Sequence, residues 1–414
     1  MTQTPVKYRW AIVVVATLAL VVSNGLAIGG LPPFYKPIRE EFVAIGAIDA
    51  ARAESFIANA ANITFLMSGV FSVIGGWLIT KFRLRPMMLV GCGLLGTGLI
   101  VHSQAFTAEM VYAARLLMGA SLGFVGVAPC VVLVSNWFDK GRGTALGIVL
   151  TGTSLGGFLI PLVAAPLIAN YGWRYAMLAF SSLVWLALLP AIILLVKEPA
   201  ANAQVSDQAV SADGMTLGEA VRTPLFWAFA ACAALVFYPI FATSQQFILY
   251  LQTPKIGVSA ETAAFAQSAL FAISIGGKFL AGYLSDKFRA VRVIVACSLV
   301  MFAASLVLLG LTAANSIFFL LPFALGYGGT FVLLQRLAAD FFGRREIGKI
   351  LGLITLIEVT GAAIGGRITG YLADQNNGDY TTAFYGVTIA AALAFIMTIA
   401  IYFLSNNRVR ESKS

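Results

Sequence analysis

Apolar residues along this chain gather into twelve runs of about 20 residues, the length that spans a bilayer core as a helix. They lie near 10–30, 55–79, 86–104, 109–134, 143–168, 174–196, 224–251, 261–283, 291–313, 315–338, 347–372 and 382–404. The first run is longer than the apolar part of a signal peptide and is therefore expected to stay as a helix behind Lys7 and Arg9. Most connections are short and basic. The exception, from Lys197 to Arg222, is rich in Ala, Ser, Asp and Gln and closes on Thr216-Leu-Gly-Glu219, a capping box that predicts a short surface helix. The pattern predicts an all-α membrane protein with twelve transmembrane helices in two six-helix bundles. Residues 1–196 form the first bundle, 197–223 a cytoplasmic linker, and 224–414 the second.

Composition excludes a soluble domain, because 59% of the residues are hydrophobic and only 11% are charged. A net charge of +9 raises the question of nucleic acid, but the basic residues are spread over short loops, so no nucleic-acid partner is expected. With both termini in the cytoplasm, eighteen Lys and Arg fall on the inner side, against Lys36, Arg39, Arg52, Arg174 and Lys255 on the other. That asymmetry predicts a multi-pass protein of the cell membrane with both termini inside. Arg115, Lys278, Arg336 and Arg367 fall within the runs.

Cys92, Cys130, Cys232 and Cys297 sit singly inside apolar runs, and His102 is the one histidine, so neither metal nor disulfides are expected. No nucleophile and base, and no nucleotide loop, stand out. The chain reads as a protein that is not an enzyme, carries no cofactor and is not driven by ATP. A sensor would need an output domain, which the central loop and short tails do not supply.

The halves echo each other. Gly76-Trp-Leu-Ile-Thr-Lys-Phe-Arg-Leu-Arg85 after the second run matches Gly282-Tyr-Leu-Ser-Asp-Lys-Phe-Arg-Ala-Val-Arg292 after the eighth. Trp137-Phe-Asp-Lys-Gly-Arg-Gly-Thr-Ala-Leu-Gly147 after the fourth matches Phe342-Gly-Arg-Arg-Glu-Ile-Gly-Lys-Ile-Leu-Gly352 after the tenth. Internal repeats of this kind build transporters whose two bundles move about a central site. Small residues at Gly147, Gly152, Gly156, Gly361 and Gly365 prepare close helix contacts, static or moving.

Two charges lie deep in the second half, Lys278 and Glu358. A lysine at mid-membrane costs about 3 kcal/mol to insert and marks a substrate path or a buried partner. The two are expected to neighbour each other, either as a substrate and proton site or as an ion pair that sets helix register. Other cavity candidates are Ser23, Asn24, Thr151, Ser154, Tyr238, Gln245 and Tyr327, polar or aromatic residues near mid-run. Arg115 either assists proton movement or bonds to carbonyls of neighbouring helices. Asp139, Arg142, Asp286, Arg289, Asp340 and Arg344 fall at inner helix ends, where opposite charges can latch the cytoplasmic side and part on opening.

These motifs resemble the major facilitator superfamily. The Gly-x-Leu-x-Asp-Lys-x-x-Arg loop is kept from Gly282, Thr80 replaces its acid in the first copy, and Arg115-Leu-Leu-Met-Gly119 is similar to a second superfamily pattern. A narrower resemblance is to the monocarboxylate transporters and the bacterial oxalate:formate antiporters. It rests on Asn136-Trp-Phe-Asp-Lys-Gly-Arg-Gly-Thr-Ala-Leu-Gly147, Tyr171-Gly-Trp-Arg-Tyr175 and Thr216-Leu-Gly-Glu-Ala-Val-Arg-Thr-Pro-Leu-Phe-Trp227.

The resemblance implies that the basic residue four positions before Gly282, here Lys278, binds a substrate carboxylate. It departs at Ser274, where monocarboxylate transporters carry an aspartate, and at Glu358, where oxalate exchangers carry a lysine; the first run holds no lysine. The implied function is proton-coupled symport of a small lactate- or pyruvate-like monocarboxylate by alternating access, with organic-anion exchange as the alternative and export of other small molecules behind it. Protonation of Glu358 would release Lys278 to the substrate. The partners are the anion, the proton and the lipid bilayer, and a monomer is expected.

Overall fold

The computed structural model describes residues 6–138, 140–197, 214–253, 256–312, 315–376 and 379–411. Among them the regular structure is helical: α1 Val6–Asn24, α2 Pro32–Ala44, α3 Ala53–Ile79, α4 Leu84–Ser103, α5 Ala108–Val125, α6 Val127–Trp137, α7 Arg142–Leu183, α8 Leu189–Leu195, α9 Leu217–Ala220, α10 Pro224–Leu251, α11 Ala260–Lys287, α12 Ala290–Val307, α13 Ser316–Phe342, α14 Ile347–Gln375 and α15 Thr381–Glu411. Eleven described helical tracts are long and apolar enough to cross a membrane. One of them, Arg142–Leu195, has 54 residues and is too long for a single crossing. Gly172, at φ +82°, breaks it in a conformation that side-chain-bearing residues avoid, so this tract carries the fifth and sixth spans.

Two compact units emerge. Unit 1 comprises residues 1–139, 149–212 and 351–356; unit 2 comprises 140–148, 213–350 and 357–414. In lipid, helices gain from van der Waals contact and not from hiding apolar surface from water, so glycine faces decide how closely they approach. In unit 1, α1 runs on through a wide turn at Gly25–Gly29, and a Cβ added at Gly156 of α7 would lie 2.9 Å from Gly25 N. In unit 2, a Cβ at Gly365 of α14 would lie 2.6 Å from the Tyr238 carbonyl of α10. Any larger residue at either position forces its helix pair apart.

The capping box at the foot of unit 2 is formed. Thr216 Oγ1 accepts from Glu219 N at 3.2 Å, and Glu219 Oε2 accepts from Thr216 N at 2.8 Å. Those bonds hold the Glu219 carboxyl below its ordinary value. Glu346 accepts from Leu217 N at 2.7 Å and from Lys349 Nζ. Burial by itself would raise the Glu346 carboxyl, but its hydrogen bonds and the two cations beside it, Lys349 and Arg345, outweigh that and hold it low. Met215 N donates to the Phe342 carbonyl at 2.8 Å.

Candidate functional site

The site in unit 2 starts from glycine. A Cβ on Gly277 of α11 would lie 2.9 Å from Leu325 Cα, and one on Gly328 of α13 would lie 2.8 Å from Lys278 N. The two helices therefore touch along backbone at the level of Lys278. The side chain of Lys278 has no solvent exposure. It reaches over the rings of Tyr327 and Phe331, whose centroids stand 5.4 Å and 4.6 Å from Nζ. Ring faces attract a desolvated ammonium by about 2 kcal/mol, which offsets part of the cost of burying it. Phe237 of α10 stacks on Phe331 at 5.5 Å and completes an apolar wall.

Tyr327, Phe331 and Gln335 are four residues apart and share one face of α13. Gln335 Nε2 donates to Glu358 Oε1 at 3.0 Å, and both residues are buried. Lys278 and Glu358, expected as neighbours, make different contacts with α13. No ion pair joins them among the described residues, because the lysine contacts the Tyr327 and Phe331 level while the acid meets α13 one turn, about 5.4 Å, further on. Gln335 and Phe331 escape a reading of the sequence alone; their one signal is the spacing from Tyr327.

The remaining candidates divide. Tyr238 lies on α10, and its hydroxyl is 3.4 Å from where a Cβ on Gly386 of α15 would stand, at the seam of those two helices. Ser23, Asn24, Thr151 and Ser154 belong to unit 1, where Ser23 Oγ donates to the Val125 carbonyl at 3.3 Å and Asn24 Nδ2 to Ser23 Oγ at 3.4 Å. The Gln245 side chain and Asp139 lie outside the described residues.

At the basic end of unit 2 the charges form a network. Asp286 accepts from Gly143 N at 2.9 Å, Thr144 N at 2.7 Å and Thr144 Oγ1 at 2.7 Å. Arg336 pairs with Asp286 at 2.6 Å and with Asp340 at 3.3 Å, and Arg142 pairs with Asp340 at 3.0 Å. A Cβ on Gly282 would lie 2.8 Å from Gly147 Cα, so the signature glycine seats α11 against the start of α7. Arg336, absent from the sequence-based gate, is its centre; its position four residues before Asp340 was the available signal. Arg289 is exposed, and Arg344 lies in the α13–α14 connection.

In unit 1, Arg115 is 1% exposed and lies over the Tyr35 ring at 5.8 Å. The Tyr171-Gly-Trp-Arg-Tyr175 motif serves the same unit. Trp173 Nε1 donates to Glu41 Oε2 at 2.6 Å, and Arg174 holds Glu41 Oε1 through Nε at 3.0 Å and Nη2 at 2.7 Å while also capping the Ser103 and Ala105 carbonyls.

The chain was compared with known proteins. Over residues 17–254 and 247–414 it matches the Major Facilitator Superfamily. It is 28% identical to monocarboxylate transporter 13 of Bos taurus over 371 residues, 88% of this chain and 84% of that one. It is also 28% identical to the MFS transporter asaE of Aspergillus flavus over 347 residues, 81% of this chain and 75% of the relative. Among solved structures, the Escherichia coli fucose:proton symporter FucP superposes with a TM-score of 0.70 at 15% identity, covering 95% of this chain and 99% of its own. The human organic anion transporter MFSD10 superposes with a TM-score of 0.72 at 15% identity, covering 96% and 100%. With helices throughout the described residues, the paired basic repeats and a match running over nearly the whole length, the chain belongs to the major facilitator superfamily and is a multi-pass membrane transporter and not an enzyme.

Proposed function

We propose that this transporter carries a small monocarboxylate together with a proton by alternating access, as a monomer in the cell membrane with both termini in the cytoplasm. The observation that carries the reading is Lys278, fully buried over the rings of Tyr327 and Phe331, with Glu358 buried on Gln335, which follows Phe331 by one turn of α13. A low-dielectric site tolerates an ammonium best when one negative charge accompanies it. That charge is either the Glu358 carboxylate or the substrate carboxylate. Protonation of Glu358 therefore favours substrate on Lys278, and loss of the proton favours release. Since Gln335 and not Lys278 bonds to Glu358, the coupling works through charge balance and not through competition for a shared ion pair.

The names of the monocarboxylate relatives support the substrate class, and the network around Asp286 and Arg336 supports a latch at the cytoplasmic end that parts during the cycle. The test is uptake of labelled lactate into proteoliposomes. An inward proton gradient should raise it, and Lys278→Ala should abolish it. Uptake that ignores the gradient and needs a preloaded internal anion would replace symport by exchange.

A further inference from the structure

In unit 1 a second buried cation stands where, among the described residues, no acid answers it. Arg115 projects from the third turn of α5, and its Nε and Nη1 are buried with no hydrogen-bond partner among the described residues. At the neighbouring end of α4, His102 has no solvent exposure, and both of its ring nitrogens are likewise without a partner among the described residues. A Cβ on Gly98 of α4 would lie 3.2 Å from the Ala114 carbonyl of α5, so His102, one turn further along α4, stands beside the turn of α5 that carries Arg115. The Tyr35 ring lies beside Arg115 at 5.8 Å, and His102 sits 5.9 Å from the Trp173 ring.

The described acids of this neighbourhood are engaged elsewhere. Both Glu41 oxygens are taken by Trp173 and Arg174, and Glu109, on the first turn of α5, is open to solvent. Arg115 is left with a whole positive charge. A guanidinium does not shed its proton in a protein, so the cost of burying it cannot be relieved by neutralisation as it can for lysine. Leaving buried donors of a charged group unmet costs more than leaving neutral ones. The unmet nitrogens belong to a fork that matches two oxygens of one anion, and the His102 imidazole adds an N–H donor.

We infer that Arg115 and His102 form an anion-binding site in unit 1, distinct from Lys278, that takes a small monovalent anion of the carboxylate or halide kind. The site stands away from the basic ends of its helices and is built by residues on α4 and α5, with Tyr35 of α2 as its wall. It supplies the negative charge that Arg115 lacks. If the occupant is a carboxylate, the site is a waiting station for the transported anion; if it is chloride, the site is a fixed counter-ion. The inference does not depend on the role given to Lys278.

The experiment uses the purified full chain in detergent, titrated with formate and separately with chloride while the melting temperature is followed. Gluconate serves as the bulky anion that should not fit. The wild type should show a saturable rise in Tm with formate, chloride or both, and Lys278→Ala should keep a saturable component. Arg115→Gln and Arg115→Lys should weaken that component about tenfold or more, the loss expected when charge-assisted bonds are removed or lose their fork. Crystals of the wild type soaked in bromide supply a readout without mutation, with an anomalous peak expected beside Arg115 and His102. Saturation by formate identifies a carboxylate station, and saturation by chloride alone identifies a halide counter-ion. Arg115→Gln protein that is monodisperse yet keeps the wild-type anion dependence would overturn the inference, as would bromide density with no peak at Arg115. Loss of all anion binding in Lys278→Ala would assign the anion to Lys278 alone and also overturn it. Loss of lactate uptake in Lys278→Ala with the Arg115 component intact would uphold both assignments. Unchanged uptake in that variant would sink the transport reading and leave this site standing.

Discussion

Asp286 and Thr80 hold equivalent places in the two copies of one motif, and the difference between them shows what the acid is for. Asp286 accepts three hydrogen bonds from Gly143 and Thr144 and pairs with Arg336, tying α11 to α7 and α13. Thr80 Oγ1 donates to the Trp77 carbonyl of its own helix at 2.7 Å, and Lys81 lies over the Trp77 ring at 3.8 Å. At this position the second copy is an inter-helix clamp, and the first makes only a bond within its own helix end. Of the two residues at this place, only the acid recruits distant partners.

The comparison can be broken most severely at Asp286. Asp286→Ala leaves two backbone donors without their acceptor and takes from Arg336 one of its two acids, so stability should fall by about 3 kcal/mol and lactate uptake by more than tenfold. Denaturation in detergent and proteoliposome uptake measure the two losses. Arg336→Gln should cost less, about 1–2 kcal/mol, because Arg142 still holds Asp340. Thr80→Ala should change stability by no more than about 0.5 kcal/mol, since the lost bond is local and exposed. A larger loss at Thr80 than at Asp286 would reverse the assignment of roles.

The smallest expected effect concerns the linker cap. Glu219 and Glu346 are held below the ordinary carboxyl value of 4.5, so the stability they add is complete above it and is lost as the pH falls through their lowered values. Amide exchange at Leu217 should stay slow from neutrality down to mild acid and quicken below pH 4.5. Exchange that is already fast at neutral pH would show that the cap does not hold α9 in place.

Much of this was legible in the sequence because it is local or sets the gross architecture. Apolar runs of bilayer length gave the spans, and Thr216-Leu-Gly-Glu219 gave a cap formed within four residues. The glycines marked for close approach do sit at helix contacts. What the sequence hid was level and direction around the helix axis. Depth along the chain put Lys278 and Glu358 together, yet they meet α13 a turn apart, with Phe331 and Gln335 as their respective contacts. Arg336 looked like one more charge inside a span until α11 brought Asp286 to it. Tyr238 was read from depth alone, and the structure adds that its hydroxyl stands by Gly386 of α15.

The central claim is that Lys278 carries the anion and Glu358 the proton. The most direct measurement is labelled lactate uptake by proteoliposomes with and without an inward proton gradient, for wild type, Lys278→Ala and Glu358→Gln. The account predicts gradient-stimulated uptake in the wild type, none with Lys278→Ala, and uptake that no longer follows pH with Glu358→Gln. Wild-type uptake that is indifferent to the gradient, or Glu358→Gln protein with an unaltered pH profile, would contradict it.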